Sequence, residues 1–248
     1  MNRTTGRHEL EFASATHVGK SRSENQDRCS WFETSQAGSY IIIVADGMGG
    51  HFGGGIAAEI AVESVRSTFG RSFTDPKKTL KSSFDLAHKG LTDRAGKDSM
   101  LKNMGCTLSV ALYYDNLVYT AHIGDSRIYR IGHGHIDQLS EDHSLVQEMV
   151  KQGAIKLENA RAHPKANILL RALTTNPDCE LDVYQPVTVK SNDVFLVCSD
   201  GLWNMIEDNE IRDIVTNNSA VDAVQYLIQR ANEFGGKDNI AASIMRII

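Results

Sequence analysis

Apolar positions along the chain follow two periods, one suited to strands and one to helices. Tyr40-Ile41-Ile42-Ile43-Val44-Ala45 is an unbroken apolar run of strand length, the pattern of a buried strand. From Thr107 to Leu139 the chain predicts a meander. Thr107–Tyr113 and Leu117–Ile123 flank an Asp115-Asn116 turn, and Arg127–Ile131 and Ile136–Leu139 flank a Gly132-His133-Gly134 turn. Asp193–Cys198 and a closing Ile240–Ile248 complete the strands.

Helical spacing falls between them. Ile56, Ile60, Val65 and Phe69 predict one apolar face, and Leu80, Phe84, Ala87, Leu91 and Ala95 a second. Leu145, Val146, Met149 and Val150 predict a short helix ended by Gly153. Ser219 with Asp222 opens a helix carrying Val221, Val224, Leu227, Ile228 and Ala231, which Gly235-Gly236 stops. Hairpin strands with few helices predict an α+β chain of antiparallel sheets covered by helices, not a doubly wound parallel sheet. With no repeat and no linker-like stretch, a single domain over 1–248 is expected, with 1–10 as a flexible N-terminus.

Composition narrows the function. Hydrophobic residues at 41% against 23% charged support a packed core. A net charge of -5 with no basic stripe argues against a nucleic-acid partner. No apolar run is long enough to span a bilayer, and the polar start lacks a secretory h-region, so a cytoplasmic protein is expected. Cys29, Cys106, Cys179 and Cys198 are widely spaced and form no CxxC pair, which disfavours a zinc knuckle and suits reduced thiols. His51, His122, His133, His135 and His143 show no paired ligand spacing. Trp31 and Trp203 are expected as core or near-core anchors.

The chemistry lies in a repeated arrangement in which an apolar strand ends and an aspartate follows beside a small residue. It occurs at Asp46-Gly47, Gly124-Asp125-Ser126 and Ser199-Asp200-Gly201, and Asp238 precedes the last strand. One such pair is an ordinary turn. Four of them can deliver carboxylates to one rim, where they repel unless a cation sits between them. Oxygen donors without thiolate or imidazole select Mg²⁺ or Mn²⁺. The run Gly47 to Gly55 lets backbone approach a ligand closely, and Gly47 can offer its carbonyl. It lacks the Lys-Ser/Thr ending of a P-loop and the spacing of a dinucleotide fingerprint. Arg22, upstream in a polar segment, has the planar fork that suits bidentate capture of phosphate.

In order along the chain, these segments resemble the protein phosphatase 2C family of metal-dependent serine/threonine phosphatases, and most closely its compact bacterial members. The resemblance runs from about Ala15 to the C-terminus. It rests on Arg22 with Asn25-Gln26-Asp27, Val44 to Gly50, Gly105-Cys106-Thr107, Gly124 to Arg127, Glu141 to Ser144, Arg171-Ala172-Leu173, Ser199 to Leu202, and Lys237-Asp238-Asn239. It implies a four-layer α/β/β/α sandwich with a cleft at one end. Two Mn²⁺ or Mg²⁺ ions are implied there, bridged by Asp46. Gly47 would hold the first through its carbonyl, and Asp200 and Asp238 the second. Asp125 would join Asp200 at a third ion, Arg22 would bind phosphate, and Asp27 would support the metals. The segment 145–167 matches a flap beside the cleft, with His163 given no catalytic role.

The implied activity is hydrolysis of phosphoserine and phosphothreonine by a hydroxide shared between the ions, with no phosphoenzyme. Phosphorylated substrates of a cognate serine/threonine kinase would be the partners of a monomeric enzyme. Two positions depart from animal members: Met48 stands where they carry a histidine proposed as general acid, and Gln26 replaces an acidic residue. One general acid supplies ~10²–10⁴-fold of an acceleration that reaches ~10²¹-fold for phosphate monoesters, so its loss is tolerable where loss of the metals is not. A regulatory pseudophosphatase and a small-molecule phosphoesterase are the alternative readings.

Overall fold

Strand β3 (Tyr40–Ala45) explains its own unbroken apolar run: Ile41, Ile43 and Ala45 enter one core while Ile42 and Val44 enter another. It belongs to a sheet ordered β10 (Asp182–Val183), β7 (Leu117–Ile123), β6 (Leu108–Tyr114), β3 and β2 (Arg28–Glu33), with β11 (Val187–Thr188) also on β7. The second sheet runs β1 (Leu10–His17), β13 (Ile240–Ile247), β12 (Val194–Cys198), β8 (Arg127–Gly132) and β9 (His135–Gln138). Neighbouring strands in both sheets are antiparallel. A small ribbon pairs β4 (Gly47–Met48) with β5 (Gly105–Cys106). This computed structural model describes residues 8–49 and 53–248. The first seven residues of the expected N-terminal stretch, and Gly50, His51 and Phe52 of the glycine-rich run, lie outside the described residues.

Three apolar cores separate four layers, as expected. Helices α1 (Gly53–Phe69) and α2 (Pro76–Lys97) cover the first sheet. Helices α4 (Asp200–Trp203), α5 (Asp208–Asn217) and α6 (Ala220–Glu233) cover the second. Between the sheets, Ile42, Val44 and Ala111 meet Phe195, Val197 and Met245. Period-two alternation serves both sides of β12, since Val194, Leu196 and Cys198 turn to the helices while Phe195 and Val197 turn to the other sheet. Among the described residues no helix is long and apolar enough to cross a membrane.

Several expectations hold in detail. Asp115 and Asn116 take φ of 51° and 60°, and His133 and Gly134 take 53° and 83°, as two-residue hairpin turns require. Ser219 Oγ accepts the Asp222 N–H at 3.1 Å and donates to its carboxylate at 2.7 Å, which makes the helix start. All five residues of the predicted α2 face are buried.

Others need correction. On α1 the packed face is Ala57, Ala58, Ala61, Val62, Val65 and Phe69, while Ile56 and Ile60 are only half-buried at its margin. Small residues let α2 come close, as shown by Ile60 Cγ2 lying 2.7 Å from where a Cβ on Gly90 would sit. Val221 of α6 is 56% exposed, and Trp31 is 44% exposed and stacks on Phe12 instead of entering a core. Strands β1 and β2 and helix α5, which sequence periodicity does not single out, are also present.

Helix α3 (Leu145–Lys151) opens the segment 145–167. The base of this excursion is cinched by bonds from Leu145 N–H to the Ile168 carbonyl and from Leu170 N–H to the His143 carbonyl, each 2.8 Å.

Candidate active site

The antiparallel registers gather strand ends at one rim. Ala45 lies opposite Arg28, His17 opposite Ile240, Cys198 opposite Arg127, and Leu108 opposite Ile123. The connections leaving these ends carry Arg22, Asp27, Asp46, Asp125, Asp200 and Asp238. A cleft of about 680 Å³ opens there, lined by five of the six; Asp27 is fully buried behind it. Thus the structure brings together the sequence-predicted residues, Gly47 included.

Asp46, Asp125 and Asp27 each have their own support. Asp46 is locked through its backbone: its N–H donates to Thr107 Oγ1 at 2.9 Å and its carbonyl accepts the Thr107 N–H at 2.8 Å. The Thr107 hydroxyl also meets Ser126 Oγ at 2.7 Å, which couples Asp46 to the loop of Asp125. Asp125 is fixed from the other side, where Trp203 Nε1–H donates to its carbonyl at 2.9 Å. Ser199 Oγ donates to Asp27 at 2.7 Å and accepts the Ala241 N–H at 2.9 Å. Gly47 packs on the start of α1 so closely that a Cβ on Gly54 would sit 2.6 Å from the Gly47 carbonyl carbon.

Concentrated negative charge is the main electrostatic fact. Burial, then the charges of Asp200 and Asp238, pushes Asp27 up to about 7. Burial, then Asp238, pushes Asp200 up to about 6. Asp46 and Asp125 are raised well above the carboxylate range by burial, then by Asp27 for the first and Asp200 for the second. The cation facing them is Arg22, whose guanidinium donates to Asp238 Oδ2 at 2.7 Å and is held more firmly charged by that contact.

The donor set fits a hard divalent cation. Asp27 Oδ1 and Asp200 Oδ1 are buried and accept no hydrogen bond, an expensive arrangement for carboxylate oxygens unless a cation compensates. Among the described residues, no group of three or more His, Cys, Asp or Glu side chains is drawn close enough to hold an ion as it stands. Arg22 occupies Asp238.

Sequence reasoning does not single out Trp203 or Ser199 as supports, nor the side chain of Asn239, which binds three backbone groups nearby. Their neighbours in sequence, Asp200 and Asp238, were the available signal.

A two-sheet sandwich with aspartates converging from separate connections on one rim, beside one arginine, defines a protein phosphatase 2C. The model of that family, described as Protein phosphatase 2C, matches residues 15–244, and the chain belongs to the family. It is 37% identical over 241 residues to the protein phosphatase PhpP of Streptococcus pneumoniae, covering 95% of this chain and 97% of that one. Its fold is similar to the serine/threonine phosphatase of S. agalactiae, with a TM-score of 0.89 and 33% identity, covering 97% of this chain and 100% of that one. It is also similar to the catalytic domain of the serine/threonine phosphatase PstP in complex with two manganese ions, with a TM-score of 0.85 and 26% identity over 96% of this chain and 98% of that one.

Proposed function

We propose that this chain is a metal-dependent protein phosphatase that hydrolyses phosphoserine and phosphothreonine. The observation that carries the reading is the partly buried, mutually repelling set of aspartates facing one arginine across an open cleft. Asp46 and the Gly47 carbonyl are the proposed holders of one Mn²⁺ or Mg²⁺ ion. Asp46, Asp200 and Asp238 would hold a second, and Asp125 with Asp200 a third. Asp27 supports them from behind. When bound, such ions supply a nucleophile from water at neutral pH and neutralise charge on the phosphoryl group.

The residues of the chain do the rest. Arg22 grips two phosphoryl oxygens through its fork, which has donors to spare beyond the one given to Asp238. Thr107 and Ser126 keep Asp46 and the Asp125 loop in fixed relation. Met48 lines the cleft but carries no proton, so the leaving alkoxide takes its proton from solvent. Burial pushes the Cys106 and Cys198 thiols above their ordinary value, so neither is a nucleophile at neutral pH.

Phosphoproteins made by a cognate serine/threonine kinase are the proposed substrates, met by a monomeric, single-domain enzyme in the cytoplasm. The test is hydrolysis of p-nitrophenyl phosphate and a phosphothreonine peptide over a manganese titration. Turnover that rises with Mn²⁺ and vanishes with chelator is expected. No turnover at any concentration returns the binding-module reading.

A further inference from the structure

Arg22 sits in a run with no buried side chain: Lys20, Ser21, Ser23 and Glu24 are exposed, as it is. Fixing such a segment costs roughly 1–2 kcal/mol per residue in backbone entropy, so its course needs anchors. Those anchors converge on one amide. Asn239, 5% exposed, accepts the Gln26 N–H at 2.8 Å through Oδ1. Through Nδ2 it donates to the carbonyls of Val18 at 2.9 Å and Glu24 at 2.8 Å. Entry and exit of the arginine loop are therefore tied to a point one residue from Asp238.

The backbone is arranged for the same contact. Lys20 and Ser21 donate their N–H groups to the Gly236 carbonyl at 2.7 and 3.2 Å. Gly19, at φ +81°, lies so close that a Cβ there would be 2.1 Å from the Asp238 carbonyl oxygen. The pairing of His17 with Ile240 delivers both connections to this place.

We propose that the Asn239 side chain is a positioning residue for the phosphate-binding arginine. It fixes the 18–26 loop against the 235–239 turn, so that Arg22 reaches the cleft already ordered. Aspartate has the same shape but lacks both donors, and alanine or serine is too short to span the three backbone groups. Asn239 lines the cleft, but its amide oxygen and both amide hydrogens are spent on backbone groups. The proposal therefore routes its effect on phosphate binding through Arg22. The inference rests on the proposed role of Arg22 as the phosphate clamp.

A double-mutant cycle tests this, with inorganic phosphate binding measured by calorimetry at saturating Mn²⁺ for the unmodified chain, R22A, N239A and the double variant. R22A is expected to weaken phosphate binding about 10- to 100-fold, the value of a charge-assisted bond. N239A is expected to weaken it about 2- to 10-fold, the cost of immobilising a freed side chain. In the double variant N239A should add nothing beyond R22A, within about twofold. A full, multiplying effect of N239A on top of R22A overturns the inference, as does no effect of N239A alone. If R22A leaves phosphate binding unchanged, the role of Arg22 falls first, and the inference falls with it for a separate, visible reason. Thermal melting checks that N239A is folded. Should it not be, N239S, which loses both amide donors without adding a charge, takes its place in the cycle.

Discussion

Arg22 and Asp238, 216 residues apart in sequence, meet at 2.7 Å between Nη2 and Oδ2. Their side chains are 57% and 34% exposed, so the pair contributes only about 0–1 kcal/mol to stability. Its significance is functional, because the proposed phosphate-binding arginine and a proposed metal ligand occupy each other. Replacing Arg22 with alanine should leave the melting temperature nearly unchanged and manganese affinity equal or tighter, while kcat/KM falls ~10- to 100-fold. Lysine should recover only part of the loss, since it lacks the planar fork. Weaker manganese binding in the alanine variant would contradict this account.

Asp200 illustrates a site that trades stability for chemistry. Burial, then the charge of Asp238, pushes its carboxyl up to about 6. The folded chain holds that proton better than the unfolded chain, so its contribution falls as pH rises from about 4 towards 6 and stays low above. At pH 7.5 in chelator, Asp200→Asn should therefore melt higher than the unmodified chain, by about 1–3 kcal/mol of stability or a few degrees. With saturating manganese the order should reverse, and phosphatase activity should be lost. Paired melting curves with and without metal give the answer.

Gly54 supports the Gly47 carbonyl without touching substrate. A Cβ at Gly54 would lie 2.4 Å from Gln26 Oε1 and 2.6 Å from the Gly47 carbonyl carbon, so something must move. Gly54→Ala should weaken manganese binding and cost about 1–3 kcal/mol of stability, as overpacking does. Gly96, with nothing within 4 Å of its Cβ position, is the control: Gly96→Ala in α2 should be neutral or stabilising.

His122 sets an acid limit of a different kind. It is fully buried between Ser109 Oγ at 2.8 Å and the Gly124 carbonyl at 2.9 Å, and its ring lies 4.9 Å from that of His143. Burial, then His143, pushes it down to about 3. Because the folded chain refuses a proton that the unfolded chain takes, this contribution is whole above pH ~6.5. It is lost as pH falls towards 3, at up to ~1.4 kcal/mol per unit. The raised carboxylates respond in the opposite direction, so the comparison must be between two proteins. Urea unfolding from pH 7 to pH 4 should show a shallower fall for His122→Gln than for the unmodified chain.

Strand-end aspartates were legible in the sequence because the signal is local: an apolar run stops and a carboxylate follows, as at Val44-Ala45-Asp46. Long buried strands and the leucine face of α2 were legible for the same reason. The α1 face was misplaced because isoleucine outweighs alanine in a hydrophobicity pattern, whereas close helix packing selects Ala57 and Ala61. Strand β1 has only Leu10 and Phe12 as large apolar residues, followed by a run of Ala, Ser and Thr, and α5 buries only Ile211 and Val215, so neither stands out. The grip of Asn239 on Val18 and Glu24 spans more than two hundred residues, and no local pattern announces it.

The cinched base of the 145–167 excursion separates its length from its placement. Because Leu145 and Ile168 are bonded to each other and Leu170 to His143, whatever lies between begins and ends at one fixed doorway. Lengthening such an insert costs only about 0.6 kcal/mol per doubling. The segment can therefore change length at little entropic cost while the bonds at its base, and the aspartates beyond them, stay in register.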